Sequence, residues 1–169
     1  MEKELVISRA EIARRVEELG RLISERSPER LLVVGVLKGA FIFTGDLVRA
    51  ISTPLEVDFI RVASYGSDRC SSGRIRLSKD LETDLAGRVV LLVEDIVDTG
   101  TTLAWLLAHL YDCGADSVKV CALIDKRRRR REKVSIDYYG FRREGFLVGY
   151  GLDYGERYRE LPDIYELNP

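Results

Sequence analysis

Ile12, Val16, Leu19 and Ile23 recur at three- and four-residue intervals behind Ser8 and Glu11, which have the S-x-x-E spacing of a capping box. An apolar stripe behind such a cap predicts an amphipathic first helix. After Pro28 the pattern switches to LLVVGV, Leu31 to Val36, a continuous apolar run expected of a strand covered on both faces. Lys38 and Gly39 end it. A second helix is predicted from about Ala40 to Ile51, closed by Ser52, Thr53 and Pro54, before EVDFIRVA resumes as strand. RVVLLV gives another strand. Leu103, Leu106, Leu107 and Leu110 mark a third helix that Gly114 can end in a left-handed cap, and SVKVCALI follows as strand. Strand, helix, strand in this order implies a parallel sheet with right-handed crossovers, the α/β class. The tail alternates short strands with Gly- and Tyr-rich turns.

One segment breaks the pattern. SYGSDRCSSGR, Ser64 to Arg74, is mostly small and polar and has almost nothing to bury, so it reads as a mobile excursion. No repeat, linker or low-complexity tract divides the chain, and 169 residues suit one domain, 1–169.

Charge narrows the choice of partners. With 27 Lys plus Arg against 28 Asp plus Glu, no global field selects nucleic acid or an anionic membrane, so any anion site must be local. No stretch has the roughly 18 uninterrupted apolar residues of a membrane span, and the first residues lack a signal-peptide core. Cys70, Cys113 and Cys121 are odd in number and lack CxxC spacing, which fits reduced thiols and a cytoplasmic location.

The chemistry concentrates in VVLLVEDIVDTGTTL, residues 89 to 103. Ligands of a parallel sheet bind at the carboxyl ends of its strands, where Glu94 to Thr102 fall. Asp98 to Thr102 run into a helix N-terminus, whose free N–H groups and positive dipole end favour an anion, while Gly100 lets backbone approach closely. Thr99, Thr101 and Thr102 add hydroxyls. This is a phosphate cradle without Walker A or GxGxxG spacing. Glu94 and Asp95 would repel a phosphate, so sugar hydroxyls or hydrated magnesium suit them better. A plain helix cap made by Asp98 or Thr99, with solvated acids beside it, remains open on these residues alone.

VEDIVDTGTTL resembles the phosphoribosyl-pyrophosphate (PRPP) signature of the type I phosphoribosyltransferases, in particular their hypoxanthine-guanine branch. LKGAFIF at 37 to 43, ASYGSDRCSSG at 63 to 73, LIDKR at 123 to 127 and FLVGYGLDYGERYRELPDIYEL at 146 to 167 match that branch in order, so the resemblance covers essentially the whole chain. It implies the type I phosphoribosyltransferase fold: a twisted parallel sheet flanked by helices, with a small hood built from the terminal segments. It also implies transfer of 5-phosphoribosyl from PRPP to N9 of hypoxanthine or guanine, with Mg2+ as cofactor, in a homodimer or homotetramer.

The same resemblance implies roles for single residues. Asp98 matches the catalytic acid or base near purine N7. Glu94 and Asp95 match the acids that face the ribose hydroxyls and magnesium, and Asp98, Thr99, Gly100, Thr101 and Thr102 match the 5'-phosphate loop. Leu37, Lys38 and Gly39 match the pyrophosphate loop, whose first peptide is commonly cis, and Arg159 matches a further pyrophosphate contact. Ser64 and Tyr65 match the start of a loop that closes over the site. Lys126 matches the donor to the O6 of a 6-oxopurine, Phe146 the stacking aromatic and Leu147 a backbone contact to the base edge. Asp153, beside the base, matches a second magnesium ligand.

Departures from the family pattern are few. Arg127 to Arg131 is more basic than expected there and reads as a solvated loop or subunit contact. Thr101 stands where some relatives carry lysine. Cys70 has no histidine beside it and reads as an oxidation site, and His109, four residues after Trp105, reads as structural. Regulators that share this fold but bind RNA offer a competing reading through the Arg127–Arg131 run. They generally lack an acid at the position of Asp98, which favours the enzyme.

Overall fold

The computed structural model describes residues 2–27, 29–65 and 74–168, without the side chains of residues 64, 65 and 74. The elements in chain order are β1 (Glu2–Ile7), α1 (Arg9–Arg26), β2 (Leu31–Val36), α2 (Phe41–Ala50), β3 (Leu55–Tyr65), β4 (Arg74–Lys79), β5 (Val89–Val97), α3 (Thr101–Asp112), β6 (Ser117–Asp125), β7 (Tyr138–Phe141), β8 (Leu147–Val148) and β9 (Ile164–Asn168). Ser8 and Glu11 close the expected capping box at the start of α1. Gly114 ends α3 with φ 97°, while Gly114 N donates to Tyr111 O and Ala115 N to Leu110 O, the paired bonds of a Schellman turn.

The main sheet has the order β4-β3-β2-β5-β6-β7. Its β3-β2-β5-β6-β7 portion is parallel, so those strands deliver their carboxyl ends to one edge. The sheet is not wholly parallel as the strand-helix-strand order suggested. β4 returns antiparallel to β3, with Ser64 opposite Ile75 and Tyr65 opposite Arg74. The expected excursion is therefore shorter than Ser64 to Arg74, because backbone pairing persists to both of its ends. Cys70 lies outside the described residues.

Alternation along the buried strands feeds two cores. Leu31, Val33, Leu91, Val93 and Leu123 pack with Ile12, Val16, Leu19 and Ile23 of α1 and Phe43 and Leu47 of α2. Leu32, Val34, Val90, Leu92, Val120 and Ala122 pack with Leu103, Leu106 and Leu110 of α3. Helices thus cover both faces, which is why LLVVGV needs no polar side.

A second sheet, β1-β9-β8, joins the two chain termini in antiparallel pairs. The carboxylate of Asp163 fastens it to the start of α1, accepting from Arg9 N at 2.7 Å and Arg9 Nη2 at 3.1 Å. Arg15 ties α1 to β7 by donating to the carbonyls of Gly140 and Tyr139. No helix among the described residues is long and apolar enough to cross a membrane. His109 stacks on Trp105 with ring centroids 5.2 Å apart, and its Nε2 lies 3.1 Å from Asp80 Oδ1, in keeping with a structural role.

Asp58, buried in β3, holds the β4–β5 connection by accepting from the N–H groups of Phe59 (2.7 Å), Glu82 (2.9 Å) and Thr83 (2.8 Å). Burial alone would raise its pKa, but these donors outweigh it and hold the carboxyl below the 3.8 of an ordinary aspartate. Asp58→Ala is expected to cost about 2–3 kcal/mol at neutral pH, the scale of a lost hydrogen bond to a charged group. A depressed folded-state pKa stabilises fully above the unfolded value, and that stabilisation fades as pH falls through the folded one. Urea unfolding at pH 7 and at strongly acid pH should therefore show the gap between variant and parent shrinking on acidification. A gap independent of pH would remove the charge from the account.

Candidate functional site

The site forms where β2, β5 and β6 end. β5 does not stop at its apolar run, because Glu94 to Val97 stay in register with Ala122 to Asp125 of β6. Glu94 is consequently a buried strand residue, with Asp95 half-buried beside it. Burial and then the adjacent Asp95 charge push the Glu94 pKa well up, and burial also raises Asp95. Burial outweighs the partial compensation that the Arg159 charge gives Asp95. A hydrated divalent cation, bound through one or two carboxylates with its other ligands from substrate and water, fits such a pair. Among the described residues no three His, Cys, Asp or Glu side chains form a metal cage, so Asp153 does not join Glu94 and Asp95 in one cluster.

The loop after β2 packs directly on these acids. The Leu37–Lys38 peptide is cis. A Cβ on Gly39 would sit 1.8 Å from Asp95 Oδ2, and one on Gly151 would sit 2.4 Å from Gly39 O. Leu37, Lys38 and Gly39, the acid pair and the Tyr150–Leu152 turn are therefore layered against one another. Arg159 closes the layer by donating to Gly151 O at 2.7 Å and pairing with Asp153 at 3.1 Å. Glu156 bridges Lys38 Nζ (2.8 Å) and Arg159 Nη2 (3.2 Å), so one carboxylate occupies both cations.

After β5, Asp98 and Thr99 lead to Gly100, which takes the N-cap of α3 with φ 85°. Neither Asp98 nor Thr99 is that cap, contrary to the plain-cap alternative. Thr99 Oγ1 accepts only a long 3.4 Å bond from Thr101 N. The first turn of α3 carries no acidic residue and, as in any helix, its leading N–H groups lack intrahelical partners, which leaves an anion-favouring end. Glu94, Asp98, Thr99, Gly100 and Thr102 line a concavity of about 120 Å³. A neighbouring one of about 260 Å³ reaches Val36, Val62, Asp95 and Thr102. A larger hollow of about 380 Å³ among Leu31, Val89 and Ser117 lies at the opposite strand ends, away from these groups. Among the described residues Asp98 Oδ1 is buried without a hydrogen-bond partner, while Oδ2 lies 3.2 Å from Arg129 Nη1.

After β6, Lys126 donates through Nζ to Gly145 O at 2.7 Å. Next in the chain stand Phe146, half exposed with Tyr154 edge-on at 5.5 Å, and the buried Leu147. An apolar face, an ammonium and a strand backbone thus follow one another near the end of β6, where Lys126 N donates to Val97 O, one residue before Asp98. Ser64 and Tyr65 end β3 at the same edge of the sheet, but the closing loop expected after them falls in residues 66–73, outside the described residues.

The basic run is not a plain solvated loop. Asp125, with its side chain only 2% exposed, pairs with Arg130 (2.7 Å), Arg127 (3.2 Å) and Arg142 (3.3 Å). Those guanidinium groups hold its pKa down against the opposing effect of burial. Arg131 N and Glu132 N both donate to Thr99 O, binding the run to the phosphate loop. Sequence reasoning missed Asp125, Arg130 and Glu156. An acid closing an apolar strand just before five arginines was the one available signal.

Residues 8–155 match the family model described as a phosphoribosyl transferase domain. The chain is 45% identical to the hypoxanthine-guanine phosphoribosyltransferase of Bacillus subtilis (strain 168), over 99% of this chain and 94% of that protein. With the Mycobacterium avium protein of that name the identity is 46%, over 99% and 86%. A hypoxanthine phosphoribosyltransferase crystal structure from Staphylococcus aureus superposes with a TM-score of 0.92 at 38% identity, covering 98% of this chain and 91% of that one. A Bacillus anthracis hypoxanthine-guanine phosphoribosyltransferase, solved with HEPES in its active site, gives 0.92 at 37%, covering 98% and 99%.

The contact between Gly39 and Asp95 yields a stability test. Gly39→Ala must displace the carboxylate or the loop and is expected to cost about 1–3 kcal/mol, as overpacking does. Gly45→Ala, in α2 with nothing within 4 Å of its added Cβ, should instead stabilise by roughly 0.5–1 kcal/mol through helix propensity. Opposite signs in urea unfolding would bear out the packing; equal signs would contradict it.

Proposed function

We infer, from the premise that this chain belongs to the phosphoribosyl transferase domain family, that it is a purine-salvage enzyme of the hypoxanthine-guanine branch. It transfers 5-phosphoribosyl from PRPP to N9 of hypoxanthine or guanine and forms IMP or GMP with pyrophosphate. The observation that carries the reading is the meeting of Asp98 and Lys126 at adjacent strand ends, beside an uncapped helix start and a buried acid pair.

In this reading, Thr99 to Thr102 take the 5'-phosphate at the start of α3. Glu94 and Asp95 face the ribose hydroxyls. Lys38, Gly39 and Arg159 take the pyrophosphate, for which Glu156 must release both cations. Phe146 stacks on the purine, the Leu147 backbone meets its edge, and Lys126 donates to O6, a donor match that a 6-aminopurine cannot offer. The C1'–N9 bond forms as the C1'–oxygen bond breaks, its electron pair leaving with pyrophosphate, and Asp98 takes up the proton that the base gives up. Mg2+, when bound, neutralises charge on the pyrophosphate. Glu94 and Asp95 would hold magnesium beside the ribose, and Asp153, which does not cluster with them, would hold magnesium beside the pyrophosphate.

We place the whole chain, 1–169, in one catalytic unit with the β1-β9-β8 sheet as its hood, in the cytoplasm, and as a homodimer or homotetramer. The RNA-binding alternative gains no support, because Arg127, Arg129 and Arg130 already face carboxylates of this chain.

Purified protein with PRPP and Mg2+ should form nucleotide from hypoxanthine or guanine, not from adenine or uracil, and should stop when EDTA removes the metal. Failure with every base would overturn the assignment. Asp98→Asn is expected to lower kcat by roughly 10²-fold or more with PRPP binding little changed. Undiminished turnover would sink its role. Lys126→Ala should erode the preference for oxopurines, and unaltered selectivity would remove it from the base site.

A further inference from the structure

We propose that Arg130 is a positioning residue that fixes the spacing between Asp98 and Lys126. Its guanidinium spans the gap between two strand ends. Nε donates to Asp98 O at 2.9 Å, while Nη2 lies 2.7 Å from Asp125 Oδ1 and 2.6 Å from Lys126 O. Val97 O, at 3.3 Å from Nη2, is a peripheral contact, since the two Nη2 hydrogens serve the shorter bonds. Asp125, the anchor of this fork, is itself immobilised by Arg127 and Arg142. Two of the main acceptors are backbone carbonyls of the very residues whose side chains face the base, so a shift of the guanidinium shifts the chain from which they project.

Little else orients Asp98. Among the described residues its Oδ1 has no partner, and the Arg129 contact comes from a side chain 70% exposed. Beyond Asp98, the phosphate loop has a second tether that does not use the Arg130 guanidinium: main-chain bonds from Arg131 and Glu132 to Thr99 O at 2.9 and 3.1 Å. Arg130 therefore acts on base chemistry far more than on PRPP binding. Lysine cannot replace it, because a single ammonium does not reproduce a planar fork that bonds in two directions.

The inference rests on the reading of Asp98 and Lys126 as base-side groups. Arg130→Ala, Arg130→Lys, Asp98→Asn, Lys126→Ala and parent protein should be compared for kcat, base KM, PRPP dissociation constant with Mg2+ by calorimetry, and Tm. Both Arg130 variants are expected to lose about ten- to a hundredfold in kcat/KM for the base while PRPP affinity stays within about threefold. Millimolar guanidinium, but not ammonium, should restore part of the turnover of Arg130→Ala. Unchanged base kinetics, or turnover and PRPP affinity falling together with Tm, would overturn the proposal. If Arg130→Ala does not fold, Arg130→Lys decides by the same kinetic split. Normal turnover in Asp98→Asn with normal selectivity in Lys126→Ala would remove the base-side reading and the inference with it. Impairment in those two but not in the Arg130 variants would remove the inference alone.

Discussion

Val97 lies opposite Asp125 on the last rung of the β5–β6 ladder, so Asp98 and Lys126 leave the sheet at the same level. Side chains alternate faces along a strand, and a slip of one residue would turn Glu94 from its concavity and carry Asp125 away from the arginines. The register is protected by burial on both faces, with Val90 and Leu92 packed towards α3 and Leu91 and Val93 towards α1 and α2. Core packing of the apolar half of β5 thus sets the geometry of its polar half. Lys126 N, donating to Val97 O at 2.9 Å, continues the ladder's constraint into the loop.

Charge is arranged around this frame locally rather than globally. The chain is nearly neutral, yet a buried and a half-buried acid stand side by side at the end of β5 while three guanidinium groups crowd one buried carboxylate at the end of β6. These are different physical states. Asp125 is compensated several times over and its pKa lies low, which is the signature of a structural anchor. Glu94 and Asp95 are compensated by nothing comparable and lie high, which is the signature of a site built for a positive or hydroxyl-rich partner.

Local signals made part of this legible. The capping box of α1, the apolar run of β2 and the Gly114 terminus of α3 are each written within a few consecutive residues, and each forms as its pattern predicts. β1 escaped notice because EKELVI is half charged and mostly exposed, with Ile7 alone buried. β4 escaped because RIRLSK offers only Ile75 and Leu77 as an apolar face. The site divides in the same way. The D-T-G-T-T segment is a local phosphate-loop signal, whereas the contacts of Glu156 with Lys38 and of Arg130 with Asp98 span 118 and 32 residues of chain. Such contacts arise from topology, and no spacing rule reports them.

The placement of unsatisfied polar atoms completes the argument. Buried carboxylates away from the strand ends are fully engaged, Asp58 by three N–H groups and Asp163 by Arg9. Among the described residues Asp98 Oδ1 and Arg159 Nε are, by contrast, buried without partners, as are Thr44 Oγ1 in α2 and Arg88 Nε just ahead of β5. Asp98 directly follows β5, and Arg159 packs on Gly151, which abuts the loop after β2. A buried polar atom without a partner costs about 1–3 kcal/mol of stability, and at Asp98 and Arg159 a ligand can recover that cost. Asp98 can then receive a proton and Arg159 can receive an anion without first breaking a strong internal bond at those atoms. Glu156 holds Arg159 only through Nη2 and is itself exposed, so the contact that must yield is a surface ion pair of small worth, while the Asp125 cluster behind it stays fixed.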